Sequence, residues 1–131
     1  MLLVIDASIA LSAALTRDGF EPIKSHDLVA PPLLWSEALS TLREHAWRRD
    51  ISPQQAEASR RSLLSAPVER RAPRALYGEA WRVAEELGWA KTYDAEYVAL
   101  ARLLRCPLLT RDDRLRHGAA RVIEAIGPTE L

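Results

Sequence analysis

Short apolar runs alternate along this chain with longer stretches in which apolar residues recur every three or four positions. Leu2–Ile5 is continuously apolar and closed by Asp6, as in a strand buried on both faces. Ser8 introduces a helix through about Leu15, acting as its N-cap, and Arg17-Asp18-Gly19 breaks it. Leu28–Ala30 reads as a strand stopped by Pro31 and Pro32, and a helical pattern follows from Leu33 to about Arg49. Ser52 as cap, Pro53 in the first helical position and Gln55 two residues later predict a helix to about Ser65. Val68–Arg71 is a short strand, and about Arg74–Leu87 is a helix ended by Gly88. Asp94–Leu104 is helical, with Val98, Ala101 and Leu104 on its apolar face. Leu108-Leu109 is a strand, Asp113–His117 a short helix and Val122–Ile126 a last weak strand. This alternation predicts a three-layer α/β/α sandwich around a short central parallel sheet.

No repeat, linker or low-complexity tract interrupts the 131 residues, so the reading is one domain over 1–131. The composition, 48% hydrophobic and 27% charged, is that of a soluble globular protein. No apolar run approaches the roughly 18 residues of a membrane span, and Met1 leads into Leu2–Ile5 without a basic leader. Cys106 is the lone cysteine, which rules out an internal disulfide and suits a reducing, cytoplasmic setting. Between Leu104 and Pro107 it reads as a small buried hydrophobe.

Chemistry enters with four acids. Asp6 ends the first strand, Asp112 follows the Leu108-Leu109 strand, and Glu37 and Asp94 lie on helices. The carboxyl ends of parallel strands form one rim, where ligands bind. Four carboxylates gathered there raise one another's pKa unless a cation joins them, and their hard oxygens suit Mg²⁺ or Mn²⁺. Each acid also has an ordinary explanation: Asp6 or Asp94 as a helix cap, Asp112 and Asp113 as acids at a helix N-terminus. Glu37 is the hardest to explain so, because Leu33, Leu34 and Ala38 place it near the apolar side of its helix. One shared site accounts for all four together.

Charge qualifies the picture. Eighteen basic residues balance 18 acidic ones, which argues against a nucleic-acid partner. Metal at the four acids would leave 18 basic against 14 acidic, and 16 of the basic residues are Arg, suited to phosphate contact. His26, His45 and His117 show no metal-ligand spacing. Trp35, Trp47, Trp81 and Trp89 read as core or half-buried anchors; exposure of Trp47 or Trp81 would instead indicate a protein interface.

The stretches VIDASIAL (4–11), LLWSEALSTLREHAWR (33–48), TYDAEYVALARLL (92–104) and CPLLTRDDRL (106–115) resemble the PIN-domain ribonucleases, and among them the VapC toxins of toxin–antitoxin pairs. The resemblance spans nearly the whole chain, with the four acids in the family's order. It implies a divalent-metal endoribonuclease that is cytoplasmic, usually a homodimer, and inhibited by a small antitoxin protein. Asp6, Glu37, Asp94 and Asp112 would be the catalytic and metal-holding residues, with Mg²⁺ or Mn²⁺ as cofactor and RNA as substrate. Ser8 and Thr110 fall at the family's supporting hydroxyl positions, whereas Asp113 stays outside the core site.

Other α/β enzymes fit less well. A haloacid-dehalogenase-like phosphatase would want Asp-x-Asp where this chain has Asp6-Ala7-Ser8, and no Gly-rich phosphate loop occurs. The alternative of another class is a catalytically silent binding module of the same fold, which retention of all four acids with Ser8 and Thr110 argues against.

Overall fold

A computed structural model describes residues 1–131. Five strands, β1 (Leu2–Ile5), β2 (Asp27–Ala30), β3 (Val68–Arg70), β4 (Leu108–Leu109) and β5 (Ala125–Ile126), form one parallel sheet in the order β3-β2-β1-β4-β5. Six helices flank it: α1 (Ala7–Leu15), α2 (Leu33–Trp47), α3 (Pro53–Leu64), α4 (Leu76–Leu87), α5 (Tyr93–Leu104) and α6 (Asp113–Ala119). Helices α1, α2 and α3 pack on one another, and α4 packs on α5, giving the three-layer sandwich.

The core follows from the apolar runs. Leu3, Val4, Ile5, Leu108 and Leu109 are fully buried in the two central strands, as expected where helices cover both faces of a parallel sheet. Helix α5 is buried continuously from Ala95 to Ala101. Buried Ser59 ties α3 to α1 by donating to the Ala14 carbonyl at 2.8 Å. Arg102 of α5 is clamped between Glu79 and Glu86 of α4, at 2.5 and 2.8 Å.

Most element ends lie where the local signals put them. Ser52 Oγ accepts from the Gln55 N–H at 3.0 Å, although the Gln55 side chain turns to Ser59 instead of closing a capping box. Gly88 ends α4 in the left-handed conformation, φ 72°, which a glycine adopts without steric cost. Several boundaries differ. Helix α4 starts at Leu76, after Pro73, and α6 runs on to Ala119. Strand β5 keeps only Ala125 and Ile126, because β4 offers just two residues to pair with. Pro128–Glu130 adds a 3₁₀ turn that the pattern does not announce.

The sheet order has one decisive consequence. From β1 the chain moves outward to β2 and β3, then returns to place β4 on the other side of β1. The crevice beyond the carboxyl ends of β1 and β4 is thus the topological switch point, the usual ligand position in an open α/β sheet.

Candidate active site

Pairing of Ile5 with Leu109 sets the next residues of the two strands, Asp6 and Thr110, side by side at this crevice. Asp6 is buried, and both its oxygens are engaged. Oδ1 accepts from Ser8 Oγ at 2.6 Å and from the Ile9 N–H at 3.2 Å, while Oδ2 accepts from Thr110 Oγ1 at 2.6 Å. Thr110 Oγ1 in turn accepts from the Asp112 N–H at 3.0 Å, so one hydroxyl braces the loops carrying two acids. Ser8 Oγ likewise accepts from the Arg111 N–H at 3.0 Å.

These bonds correct the expectation that Ser8 caps α1. Asp6 is the cap: its backbone is extended, at φ −101° and ψ 178°, and its carboxylate takes the Ile9 N–H, while Ser8 lies inside the first turn. Capping and facing the rim are compatible, since a carboxylate has lone pairs enough for both. Asp112 does the same for α6, accepting from the Arg114 and Leu115 N–H groups through Oδ1.

Asp94 is not a cap. Thr92 holds that position, and Asp94 sits in the first turn of α5, with its carboxylate held by charge alone. Glu37, half-buried on α2, accepts a hydrogen bond from the Tyr97 hydroxyl at 2.5 Å. Burial raises the pKa of Asp6, Glu37 and Asp94. Mutual repulsion adds to it: Asp112 acts on Asp6 and Asp94, while Asp94 and Asp6 act on Glu37. All four acids therefore share one electrostatic site.

Glu37, Asp94 and Asp112 line a cleft of about 530 Å³, together with Lys91, Arg114 and Trp89. The Trp89 indole lies so close to Gly118 that a Cβ there would stand 2.9 Å from the ring, so the glycine makes room for this wall. Asp113 points away, almost fully exposed, and borders a different hollow with Arg111. The spacing of the sequence misses three participants. Tyr97 stands one turn after Asp94, which would have been its signal; Lys91 carries no local signal; and Glu96, buried beside Glu37, has its pKa raised by burial and by that neighbour.

The donor set fits a hard divalent cation in a particular way. No three His, Cys, Asp or Glu side chains converge into a ready-made inner coordination set. Mg²⁺ keeps several waters and is commonly held through one or two carboxylates plus substrate phosphate, so a cluster of spaced acids with surplus negative charge matches it.

Residues 3–120 match the family model described as PIN domain. The chain is 36% identical over 116 residues to ribonuclease VapC9 of Mycobacterium tuberculosis, covering 87% of this chain and 88% of that protein. Among solved structures it is similar to PAE2754 from Pyrobaculum aerophilum, with 28% identity, a TM-score of 0.71, and 99% and 94% of the two chains covered. A toxin–antitoxin complex from Klebsiella pneumoniae contains the same fold at 16% identity, with a TM-score of 0.67 and 96% and 97% covered.

Proposed function

This chain belongs to the PIN-domain family, beside the VapC ribonucleases, and on that premise we propose that it is a divalent-metal endoribonuclease acting as the toxin of a toxin–antitoxin pair. The observation that carries the reading is the hydroxyl-braced Asp6 at the switch point, sharing its electrostatics with Glu37, Asp94 and Asp112. A binding module without catalysis would have no use for buried carboxylates that repel one another. The whole chain, 1–131, acts as one domain in this reading.

Asp6, Asp94, Asp112 and Glu37 would hold Mg²⁺ or Mn²⁺, directly or through water. When bound, the ion lowers the pKa of water and neutralises charge on the phosphoryl oxygens. Glu37 has one oxygen tied to Tyr97, which leaves Oε2 to orient a water molecule and accept its proton. Burial raises its pKa, which strengthens it as a base. The water oxygen bonds to phosphorus as the bond to the ribose 3′ oxygen breaks, and that oxygen takes up a proton from solvent, leaving a 5′-phosphate and a 3′-hydroxyl. Ser8 and Thr110 keep Asp6 in place, while Lys91 and Arg114 attract the substrate backbone.

No helix is long and apolar enough to cross a membrane, and the proposed setting is the cytoplasm. The proposed partners are RNA, a second copy of the chain in a homodimer, and a cognate antitoxin. Trp47 and Trp81, 74% and 64% exposed, are the tryptophans free to meet a protein.

Sequencing the 5′ ends of RNA treated with the purified protein tests the activity. Discrete cuts that need Mg²⁺ or Mn²⁺ are expected, and intact RNA under both conditions would refute the reading. Co-expression with the protein encoded immediately upstream tests the partner, with a tight complex and suppressed cleavage as the expected result.

A further inference from the structure

A second hollow, of about 330 Å³, adjoins the acid cleft and shares two side chains with it, Glu37 and Tyr93. Its floor is one face of α2, where Leu33, Ser36, Glu37, Ser40 and Thr41 follow one another at helical spacing. Apart from Glu37 this hollow carries no charge, and besides the Tyr93 phenol its polar side chains are the hydroxyls of Ser36, Ser40 and Thr41. The acid cleft is different, with Lys91 and Arg114 in its lining. A phosphate would favour the side with the cations, whereas an uncharged base or ribose suits the hydroxyl ledge.

Tyr93 stands between the two. It is the first residue of α5, immediately precedes Asp94, and is 56% exposed. So large an exposed aromatic surface adds little to the core. Single-stranded RNA is recognised chiefly through unstacked bases laid on aromatic rings, with hydroxyls and amides reading their edges.

Resting on the ribonuclease reading above, we propose that Tyr93 is a stacking platform for the base of a nucleotide flanking the cleaved bond. The Ser36, Ser40 and Thr41 ledge receives that nucleotide's polar edge. With its phosphate at the acids, a nucleotide has its neighbouring base within reach of Tyr93, because this residue borders both spaces. The base must be unpaired to lie there, so the hollow selects single-stranded segments.

The test uses the full chain, a short single-stranded RNA containing a mapped cleavage site, and the same RNA with an abasic ribose on either side of the cut. Tyr93→Ala is expected to lower kcat/KM on the intact RNA by about 5- to 150-fold, the range of a lost base–aromatic stack, with an unchanged melting temperature. Tyr93→Phe should stay near wild type. On the abasic RNA at the stacked position, wild type and Tyr93→Ala should cleave equally. Tyr93→Ala cleaving intact RNA at the wild-type rate, or losing the same factor on every abasic substrate, would overturn the platform while leaving the ribonuclease reading in place. A wild-type protein that cleaves no RNA with metal would overturn both.

Discussion

The Tyr97 hydroxyl donates to Glu37 Oε1 at 2.5 Å, joining α5 to α2 across 60 positions of chain. Tyr97 is 1% exposed, the largest fully buried side chain in the protein. Burial, and then the hydrogen bond to Glu37, push its phenol pKa far up, so it stays a donor at any working pH. The same bond pulls the Glu37 pKa down against the larger effect of burial. The hydrogen bond thus favours the charged carboxylate where burial disfavours it.

Tyr97→Phe removes this donor and keeps the ring. Stability should fall by about 1–3 kcal/mol, the range for a hydrogen bond to a charged group whose partner stays half-buried. The kcat for RNA should drop about tenfold or more, a barrier change above roughly 1.4 kcal/mol, with KM near wild type. In a Glu37→Gln background the same substitution should cost no further activity. Urea unfolding and steady-state cleavage of the four proteins of this cycle check both effects.

Asp94 and Asp6 should respond differently to the loss of charge. Both Asp94→Asn and Asp6→Asn should lower cleavage about 100-fold or more, since metal charge stabilisation is worth several kcal/mol. Without metal, however, Asp94→Asn should melt at a higher temperature than wild type. Its carboxylate is held by no hydrogen bond, and burial and repulsion from Asp112 outweigh the attraction of Arg114. Asp6→Asn gains less, because Asp6 caps α1 and answers the Ser8 and Thr110 hydroxyls. An Asp94→Asn protein that cleaves at the wild-type rate would remove Asp94 from the site.

The contribution of the acid cluster to metal-free stability should fall as pH rises. Asp6, Glu37 and Asp94 have folded-state pKa values above those of the unfolded chain, which are about 4 for carboxylates. Between those values these acids bind more protons in the native state than in the unfolded one, so their contribution to the slope of stability against pH is negative there. Without divalent ions, the wild-type melting temperature should fall relative to that of Asp94→Asn as pH rises from about 4, the unfolded carboxylate value. Mg²⁺ should recover more at pH 7.5. A wild-type melting temperature that rises relative to Asp94→Asn with pH contradicts the assignment.

Salt should separate the basic residues. Lys91 and Arg114 line the acid cleft, whereas Arg111 borders a separate hollow. Substituting Lys91 or Arg114 by Ala should reduce the slope of log affinity against log salt by about 0.7 each for a single strand. Arg111→Ala should leave the slope unchanged. Filter binding of RNA in Ca²⁺, across low to moderate salt, measures all three.

Much of this was legible locally. An unbroken apolar run such as Leu2–Ile5 predicts a buried strand, Ser52-Pro53 a helix start, and Gly88 a helix stop, because each signal acts within a few residues of itself. The order of the four acids is a property of the chain, as is the family resemblance. Their convergence is not. It depends on β1 lying between β2 and β4, which places Asp6 beside Thr110, 104 positions away. A strand's own residues state that it will pair but not with which neighbour, since pairing energy comes from backbone groups that every strand possesses. The cap of α1 is not legible in the sequence for a related reason: Asp6 and Ser8 are equally good caps by composition, and only the backbone angles at Asp6 decide between them. Hydropathy likewise treats the four tryptophans alike. Packing leaves Trp47 and Trp81 in solvent, sets Trp35 under the Arg70 guanidinium at 4.6 Å, and lays Trp89 against Gly118. Such contacts join surfaces distant in sequence, and only the assembled sheet and its two helix layers determine them.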